Sequence, residues 1–230
     1  MGAADKVGGV RLAIGPGCAQ QLEELVDYAR RYKSIIIYDT AYANYIMQPG
    51  IPRSIYEIEG AKEVAIELGS FSKMAGFTGV RLAWSVVPKE LTFENGHSVN
   101  QDWTRVHSTF FNGASNISQA GGMAVLSPAG QRGIQDLITF YMDNAALLHR
   151  TFKRLGYETY GGTNAPYLWV RIPGLTSWQA FDMLLEKSHL LCAPGSGFGP
   201  NGEGFIRLSA FGSRSNIEEA AQRLQKCLMK

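Results

Sequence analysis

The chain has 230 residues, of which 45% are hydrophobic and 18% are charged, and its formal net charge is +2. This length and apolar content can bury a substantial core, as one large domain or two small ones. Lysines and arginines are scattered along the chain, so we predict no nucleic-acid interface and no basic membrane-binding patch. The apolar runs have the length of strands, which predicts no transmembrane helix.

Cysteines and histidines give no sign of a disulfide framework or a metal centre. Cys18, Cys192 and Cys227 are far apart and lack C-x-x-C spacing, which indicates ordinary thiols in a reducing compartment. The histidines show no ligand spacing, so we predict that no metal is bound. The N-terminal MGAADK lacks the apolar run of a secretory signal, and Lys6 stands where a myristoylation site needs Ser or Thr.

The first half of the chain alternates helix and strand patterns. Apolar residues at helical spacing predict an amphipathic helix over 17–32. Continuous apolar runs predict strands at 34–38, 64–68 and 82–87, and the first is expected to be buried on both faces. The polar segment 92–101 is predicted to be a loop. This half is therefore typical of a mostly parallel α/β sheet.

The second half has a different pattern. Ser215 or Asn216 is expected to cap a terminal helix. We predict a partial α/β domain over 1–127 and an α+β domain over 128–230, joined by a long helix. The first half is predicted to end with a helix at 115–126. The elements predicted after it are helices at 129–155, 178–188 and 216–228, and strands at 157–160, 167–172, 190–193 and 205–209.

Polar residues cluster where the predicted strands end, and ligands of open α/β sheets bind at the carboxyl ends of strands. Pyridoxal phosphate needs a carboxylate for its ring nitrogen, a lysine for its aldehyde, and hydroxyls with an arginine for its phosphate. Singly, such residues could cap a turn or lie in solvated ion pairs, but together they favour a cofactor site. The residues are Asp39 and Tyr42 in YDTAY, Ser70, Ser72 and Lys73 in SFSK, and Arg81 just before the third strand.

Longer motifs carry a family resemblance. They are SFSKMAGFTGVRLAW, YDTAY, FNGASN, NAPYLWV and PGSGFGPNGEGFIRLSAFGSR. With them the chain resembles the fold-type I pyridoxal-phosphate aminotransferases and, among these, the LL-diaminopimelate aminotransferase family. The resemblance runs from near Cys18 to the end. It implies the C-terminal part of a large cofactor-binding domain followed by a small domain.

The resemblance implies a role for each cofactor-binding residue. Lys73 matches the lysine that bonds to the cofactor aldehyde and moves the substrate proton. Asp39 matches the carboxylate that pairs with the ring nitrogen, and Tyr42 matches the tyrosine that hydrogen-bonds the ring oxygen. The implied phosphate ligands are Ser70 and Arg81, with Ser72 beside them.

The resemblance also implies two substrate-binding residues and a reaction. Arg207 matches the arginine that binds the substrate α-carboxylate, and Asn112 matches an asparagine that reaches the distal end of the substrate from the neighbouring subunit. Without the family, Arg207 would be an exposed strand residue and Asn112 a turn residue. The implied reaction is transamination between LL-2,6-diaminopimelate and 2-oxoglutarate in lysine biosynthesis, carried out by a homodimer.

Some of the family pattern has no counterpart in this sequence. The N-terminal arm, the early glycine-rich loop, the aromatic residue that stacks on the ring and the N-P-x-G asparagine are missing. Gly15-Pro16-Gly17 stands where that last motif is expected, and residues 1–13 do not resemble the family. We therefore expect an N-terminally truncated member.

Other functions stay open at this point. The same fold could act on aspartate, alanine or aromatic amino acids, because much of the substrate choice rests on the missing half. A non-catalytic remnant that binds the intact homologue is a further alternative. The expected compartment is the cytoplasm, or the plastid stroma in a plant or alga.

Overall fold

The computed structural model describes residues 10–14, as a strand, and residues 17–228. The chain divides into two compact units, Met1–Gln135 and Asp136–Lys230, and the division falls inside a long helix. Gly15 and Pro16, where the N-P-x-G motif was sought, lie outside the described residues. The assignment of 1–127 and 128–230 to a large and a small domain stays a prediction.

The N-terminal unit contains a sheet with the strand order β1-β2-β3-β4. The first three strands run parallel, and β4 runs antiparallel to β3. The predicted α/β fold with a mostly parallel sheet is confirmed. The strands are β1 Val10–Ile14, β2 Ile35–Asp39, β3 Ala65–Ser70 and β4 Ala83–Val86.

Strand β2 is covered on both faces, as its apolar sequence predicts. Ile36 and Tyr38 are buried in one apolar cluster with α1 residues, whereas Ile35 packs against a second cluster that contains Val87. Strand β1 was not predicted, because Arg11 interrupts its short apolar run and Ala13 has a low preference for strands.

The predicted helices of this half are confirmed to within two residues at most ends. Leu22, Val26 and Ala29 form the buried stripe of α1. Among the described residues, no helix is both long and apolar enough to cross a membrane. The helices are α1 Ala19–Arg31, α2 Phe71–Met74, α3 Val99–Val106, α4 Asn116–Leu126 and α5 Pro128–Arg154.

The prediction of a loop over 92–101 is wrong at its C-terminal end. Helix α3 begins at Val99 and continues into a π-helix over His107–Phe111. Val99 is buried with Val87 and Leu91 and anchors the first turn, whereas Trp103 and Val106 of this helix are exposed. The apolar residues at 99, 103 and 106 have helical spacing, but all except the first lie beyond the segment 92–101 for which the loop was predicted.

The C-terminal unit contains an antiparallel sheet with the order β5-β6-β8-β7. On one face, Leu168, Val170, Ile206 and Leu208 form a buried core with residues from the helices of this unit. The elements are β5 Thr159–Gly161, β6 Tyr167–Arg171, α6 Ser177–Ser188, β7 Ala193–Pro194, β8 Phe205–Ser209 and α7 Arg214–Leu228.

Two strands of this unit have bounds that differ from the predicted ones. The strand predicted over 157–160 begins at Thr159. The strand predicted over 190–193 reduces to Ala193 and Pro194. Its first residue, Leu190, donates its N–H to the Leu184 carbonyl of α6 at 3.2 Å, so this segment completes a helix end instead of a sheet.

The cap of α7 also differs from the prediction, since the helix begins at Arg214. Ser213 Oγ accepts a hydrogen bond from the Asn216 N–H at 3.2 Å, and the Ser213 carbonyl accepts one from the Ile217 N–H at 3.1 Å. Ser213 is therefore the N-cap, and the assignment of that role to Ser215 or Asn216 is wrong.

Replacing Ser213 with alanine should lower the free energy of unfolding by about 1 kcal/mol, because one N–H at the helix start loses its acceptor. Urea unfolding followed by circular dichroism measures the change. Asn216→Ala, at an exposed residue that was the other predicted cap, is the matched control and should change it by less than about 0.5 kcal/mol. A larger loss in Asn216→Ala than in Ser213→Ala would contradict the assignment.

Candidate active site

The ends of three strands meet at one edge of the N-terminal sheet. Asp39 is the last residue of β2 and Ser70 the last of β3. Because β4 runs antiparallel, its first residue, Ala83, pairs with Ser70, which brings Arg81 to the same edge. The Thr40 N–H donates to the Leu68 carbonyl at 2.8 Å and extends the pairing beyond Asp39. The structure thus gathers Asp39, Ser70 and Arg81.

The lysine lies on a short helix that follows β3 directly. Ser70 Oγ accepts a hydrogen bond from the Ser72 N–H at 3.1 Å and so caps α2. Phe71 and Met74 of this helix are buried, whereas Ser72 and Lys73 are half-buried. The apolar pair fixes the turn to the unit, and the polar pair remains accessible at the sheet edge.

Tyr45, which was not among the predicted residues, ties the loop after β2 to the lysine turn. Its side chain is fully buried, and its hydroxyl donates to the Lys73 carbonyl oxygen at 2.9 Å. The half-buried ring of Tyr42 lies 6.3 Å from that of Tyr45. Asp39 Oδ1 accepts the Ala41 N–H at 2.9 Å, which closes the turn. The loop that follows YDTAY is therefore hydrogen-bonded to the last residue of SFSK.

The glycine-rich segment before β4 has unusual backbone geometry. Gly76 and Arg81 both have left-handed backbones, with φ of +69° and +62°. Arg81 is exposed, and its Nη1 donates to the Thr78 carbonyl at 2.7 Å. A left-handed non-glycine residue is strained and persists where its surroundings fix it. Here Ser118 of α4 donates from Oγ to the Val80 carbonyl at 3.0 Å, directly before Arg81.

Helix α4 packs closely against this segment at a glycine. A Cβ on Gly122 would lie 2.6 Å from Leu82 Cδ2, so a side chain there would displace Leu82. The Leu82 carbonyl accepts the Phe71 N–H at 3.1 Å. Helix α4, the Arg81 segment and the lysine helix are thereby fixed to one another.

A buried polar cluster supports β3 below the lysine turn. Glu67 is nearly buried, and its Oε2 accepts hydrogen bonds from Ser54 Oγ at 2.6 Å and the Ile55 N–H at 3.0 Å. The Tyr56 hydroxyl accepts the Glu67 N–H at 3.2 Å and lies 2.9 Å from the Val86 carbonyl of β4. Burial raises the pKa of Tyr56 to about 12. The hydrogen bond from the backbone N–H of Glu67 lowers this pKa, and the negative charge of the Glu67 carboxylate raises it.

The raised pKa of Tyr56 predicts a loss of stability in alkali. The unfolded chain releases this proton near pH 10, before the folded chain does at about 12, so the free energy of unfolding falls as pH rises through that window. Tyr56→Phe should reduce the slope, as measured by urea unfolding across the window. Tyr32→Phe, at an exposed tyrosine, is the control. An unchanged slope in Tyr56→Phe would contradict the account.

Asn112 lies apart from these contacts, and Arg207 belongs to the other unit. Asn112 is exposed, ends the π-helix with a φ of +59°, and donates its N–H to the His107 carbonyl at 2.9 Å. Within the described residues, no hydrogen bond or ion pair joins it to the sheet edge. Arg207 lies on the face of β8 that is turned away from the core, over the rings of Tyr167 and Phe198.

Comparison with known proteins identifies the family. The model of the family "Aminotransferase class I and II" matches residues 19–224. The chain belongs to the class I and II aminotransferase family. Its fold is that of the fold-type I pyridoxal-phosphate enzymes, as the resemblance implied.

Individual members of this family share more than half of their aligned residues with this chain. LL-diaminopimelate aminotransferase of Protochlamydia amoebophila is 60% identical over 92% of this chain and 51% of the relative. The chloroplastic enzyme of that name from Arabidopsis thaliana is 54% identical over 90% of this chain and 45% of its own length. The solved L,L-diaminopimelate aminotransferase of Chlamydomonas reinhardtii superposes with a TM-score of 0.91 at 51% identity, over 95% of this chain and 56% of that one. This aminotransferase chain spans about half the length of the curated relatives it matches.

Proposed function

We propose that this chain serves in pyridoxal-phosphate-dependent transamination between LL-2,6-diaminopimelate and 2-oxoglutarate, a step of lysine biosynthesis. The observation that carries the proposal is the joining of the Asp39 loop to the Lys73 helix by the Tyr45 hydroxyl, at 2.9 Å from the Lys73 carbonyl. The substrate assignment is supported by relatives at 54% and 60% identity whose names state this activity.

The residues at the sheet edge have the chemistry that pyridoxal phosphate requires. Asp39 is acidic and would hold the ring nitrogen, and it uses Oδ1 for the Ala41 N–H. Lys73 would bond to the aldehyde. Ser70, Arg81 and the neighbouring Ser72 would hold the phosphate, as hydroxyls and a guanidinium do. Tyr42 would donate to the ring oxygen. This donor set fits the cofactor at each of its polar groups.

When bound, pyridoxal phosphate supplies an electron sink for the carbanion that forms at the substrate Cα. The residues of this chain supply the proton chemistry and the orientation. Lys73 Nζ would remove the proton from the substrate Cα as a general base. Asp39 would keep a proton on the ring nitrogen. Phe71 and Met74, buried beneath Lys73, keep the turn that carries Nζ in place.

Two further residues would choose and orient the substrate. Arg207 would bind the α-carboxylate in bidentate fashion, since a guanidinium matches a carboxylate with paired N–H donors. Asn112 would reach the distal end of the substrate in a neighbouring subunit, which its exposed position on the π-helix allows. The assembly would then be a homodimer.

The names of the relatives bear on the compartment of this chain only for a plant or algal source. Two plant relatives are named as chloroplastic, and the plastid stroma is the location we propose if the source is a plant or alga. For a bacterial source we propose the cytoplasm.

The test is a half-reaction on the chain loaded with pyridoxal phosphate. Adding LL-2,6-diaminopimelate should abolish the visible absorbance of the lysine-bound cofactor, and 2-oxoglutarate should restore it. Aspartate, alanine and phenylalanine are the comparison substrates. Faster conversion by one of these would replace the substrate assignment with another aminotransferase activity. A chain that binds the cofactor and converts no amino acid would be a non-catalytic remnant.

A further inference from the structure

The C-terminal sheet has one face in the core and another that carries aromatic rings and guanidinium groups. Along β6 and β8, side chains alternate between the two faces. Leu168, Val170 and Ile206 are fully buried on the core face. The residues of the opposite face are half-buried or exposed, and they are Tyr167, Trp169, Arg171, Phe205 and Arg207.

The guanidinium of Arg207 lies over two aromatic rings on this face. Its central carbon is 4.7 Å from the ring centroid of Tyr167 and 4.3 Å from that of Phe198. Both distances are within the range of about 6 Å for a cation–π contact. Each ring is itself supported: Trp169 contacts Phe198 edge-on at 5.1 Å, and Phe211 contacts Tyr167 at 5.6 Å.

The loop that carries Phe198 is held firmly in place. Phe198 ends a short helix that starts at Gly195, and a Cβ on Gly195 would lie 2.2 Å from the Gly202 carbonyl oxygen. The Ser196 N–H donates to Ser177 Oγ at 3.3 Å. Such a close approach of two backbone segments requires glycine and fixes the height of the loop over the sheet. The position of the Phe198 ring is therefore set by the fold.

Arg207 differs in its hydrogen bonding from Arg171, Arg214 and Arg223 of the same unit. Arg171 lies 4.0 Å from a Glu158 carboxylate oxygen, and Arg214 and Arg223 are each paired with a glutamate. Within the described residues, Arg207 makes neither a hydrogen bond nor an ion pair. A guanidinium that stacks on a ring keeps its five N–H donors pointing outward in its own plane. Because Arg207 also uses no donor within the described residues, the two rings can restrain it while its donors stay available for a ligand.

We propose that Tyr167 and Phe198 are positioning residues, which hold the Arg207 guanidinium ready for a carboxylate of the amino-acid or oxo-acid substrate. The inference rests on the proposed function for the identity of that carboxylate. A free arginine side chain loses rotamer freedom when it binds a ligand, and a pre-ordered one loses less, so the rings strengthen carboxylate binding. Phe198 is 51% exposed, which is consistent with a ring kept at the surface for contact with Arg207.

The test measures carboxylate binding at Arg207 without requiring turnover. Phenylglyoxal modifies arginines in the whole chain, and peptide mass spectrometry reports the Arg207 adduct as glutarate, an unreactive dicarboxylate, is added. Glutarate should protect Arg207.

The concentration for half protection should rise about fivefold in Phe198→Leu and in Tyr167→Leu, since each loses one cation–π contact. Phe198→Tyr and Tyr167→Phe keep their rings and should retain protection close to that of the parent chain. Arg171→Gln changes a guanidinium on the same face and is the matched control.

Each outcome decides the proposal. Parental protection in both leucine variants, with circular dichroism showing the native fold, would overturn it, as would absence of protection in the parent chain. An equal loss in Tyr167→Phe and Tyr167→Leu would also overturn it, because the hydroxyl and not the ring would then matter. If one leucine variant does not fold, the other decides. Protection of Arg207 without turnover of LL-2,6-diaminopimelate would refute the proposed function alone, and turnover with unchanged protection in the leucine variants would refute the positioning role alone.

Discussion

Replacing Lys73 with alanine is expected to abolish covalent binding of pyridoxal phosphate to this chain. Lys73 is on the helix that Ser70 caps and that Tyr45 fixes to the loop after β2, so the turn that carries its amine follows the end of β3 at the sheet edge. The visible absorbance of the bound cofactor should disappear. Any transamination should fall by about 10²-fold or more, since the nucleophile and the general base are lost together.

Spectral titration of the purified variant with pyridoxal phosphate measures this effect. Lys62→Ala is the matched control, because Lys62 is an exposed lysine on the short helix Ala61–Glu63 of the same unit. It should bind the cofactor as the parent chain does. If Lys73→Ala kept the absorbance band and Lys62→Ala lost it, the lysine assignment would be wrong.

Replacing Asp39 with asparagine is expected to weaken cofactor binding by about ten- to a hundredfold, the value of a hydrogen bond to a charged group. The structure indicates that this substitution removes the charge and keeps the hydrogen bond of the turn. Asp39 Oδ1 accepts the Ala41 N–H at 2.9 Å, and an asparagine side-chain oxygen can accept the same hydrogen bond. The turn should therefore survive while the negative charge next to the ring nitrogen is lost.

Dissociation constants from cofactor titration measure the loss, and thermal unfolding checks that the fold is retained. Asp27→Asn, at an exposed aspartate on α1, is the control for removal of a charge from this unit. A variant that lost thermal stability but bound the cofactor as tightly as the parent chain would show Asp39 to be a structural turn residue. That is the alternative role which the sequence left open for it.

Much of this sheet edge could be predicted because its residues are local to strand ends. Asp39 and Ser70 each follow a buried apolar run, and the end of such a run is visible in sequence. Strand direction is not visible in the same way. The antiparallel course of β4 brings Arg81 beside Ser70, and the pattern LAWSVV would have been the same for a parallel strand.

Contacts between distant segments explain what the sequence did not show. The hydrogen bond from Tyr45 to Lys73 joins residues 28 positions apart, and no local pattern encodes it. The rings over Arg207 come from β6 and from the loop before β8, so their convergence depends on sheet register. The alternation in NAPYLWV indicates a strand and which residues share a face, but not which of them contacts the guanidinium.

The central claim is that Lys73 lies at a pyridoxal-phosphate site formed by the sheet edge. It is tested most directly by mixing the chain with the cofactor, reducing with borohydride and mapping the modified peptide by mass spectrometry. We expect one dominant phosphopyridoxyl group on Lys73, which is lost in Lys73→Ala and less abundant in Asp39→Asn. Modification spread evenly over the exposed lysines, and unaffected by Asp39→Asn, would contradict it.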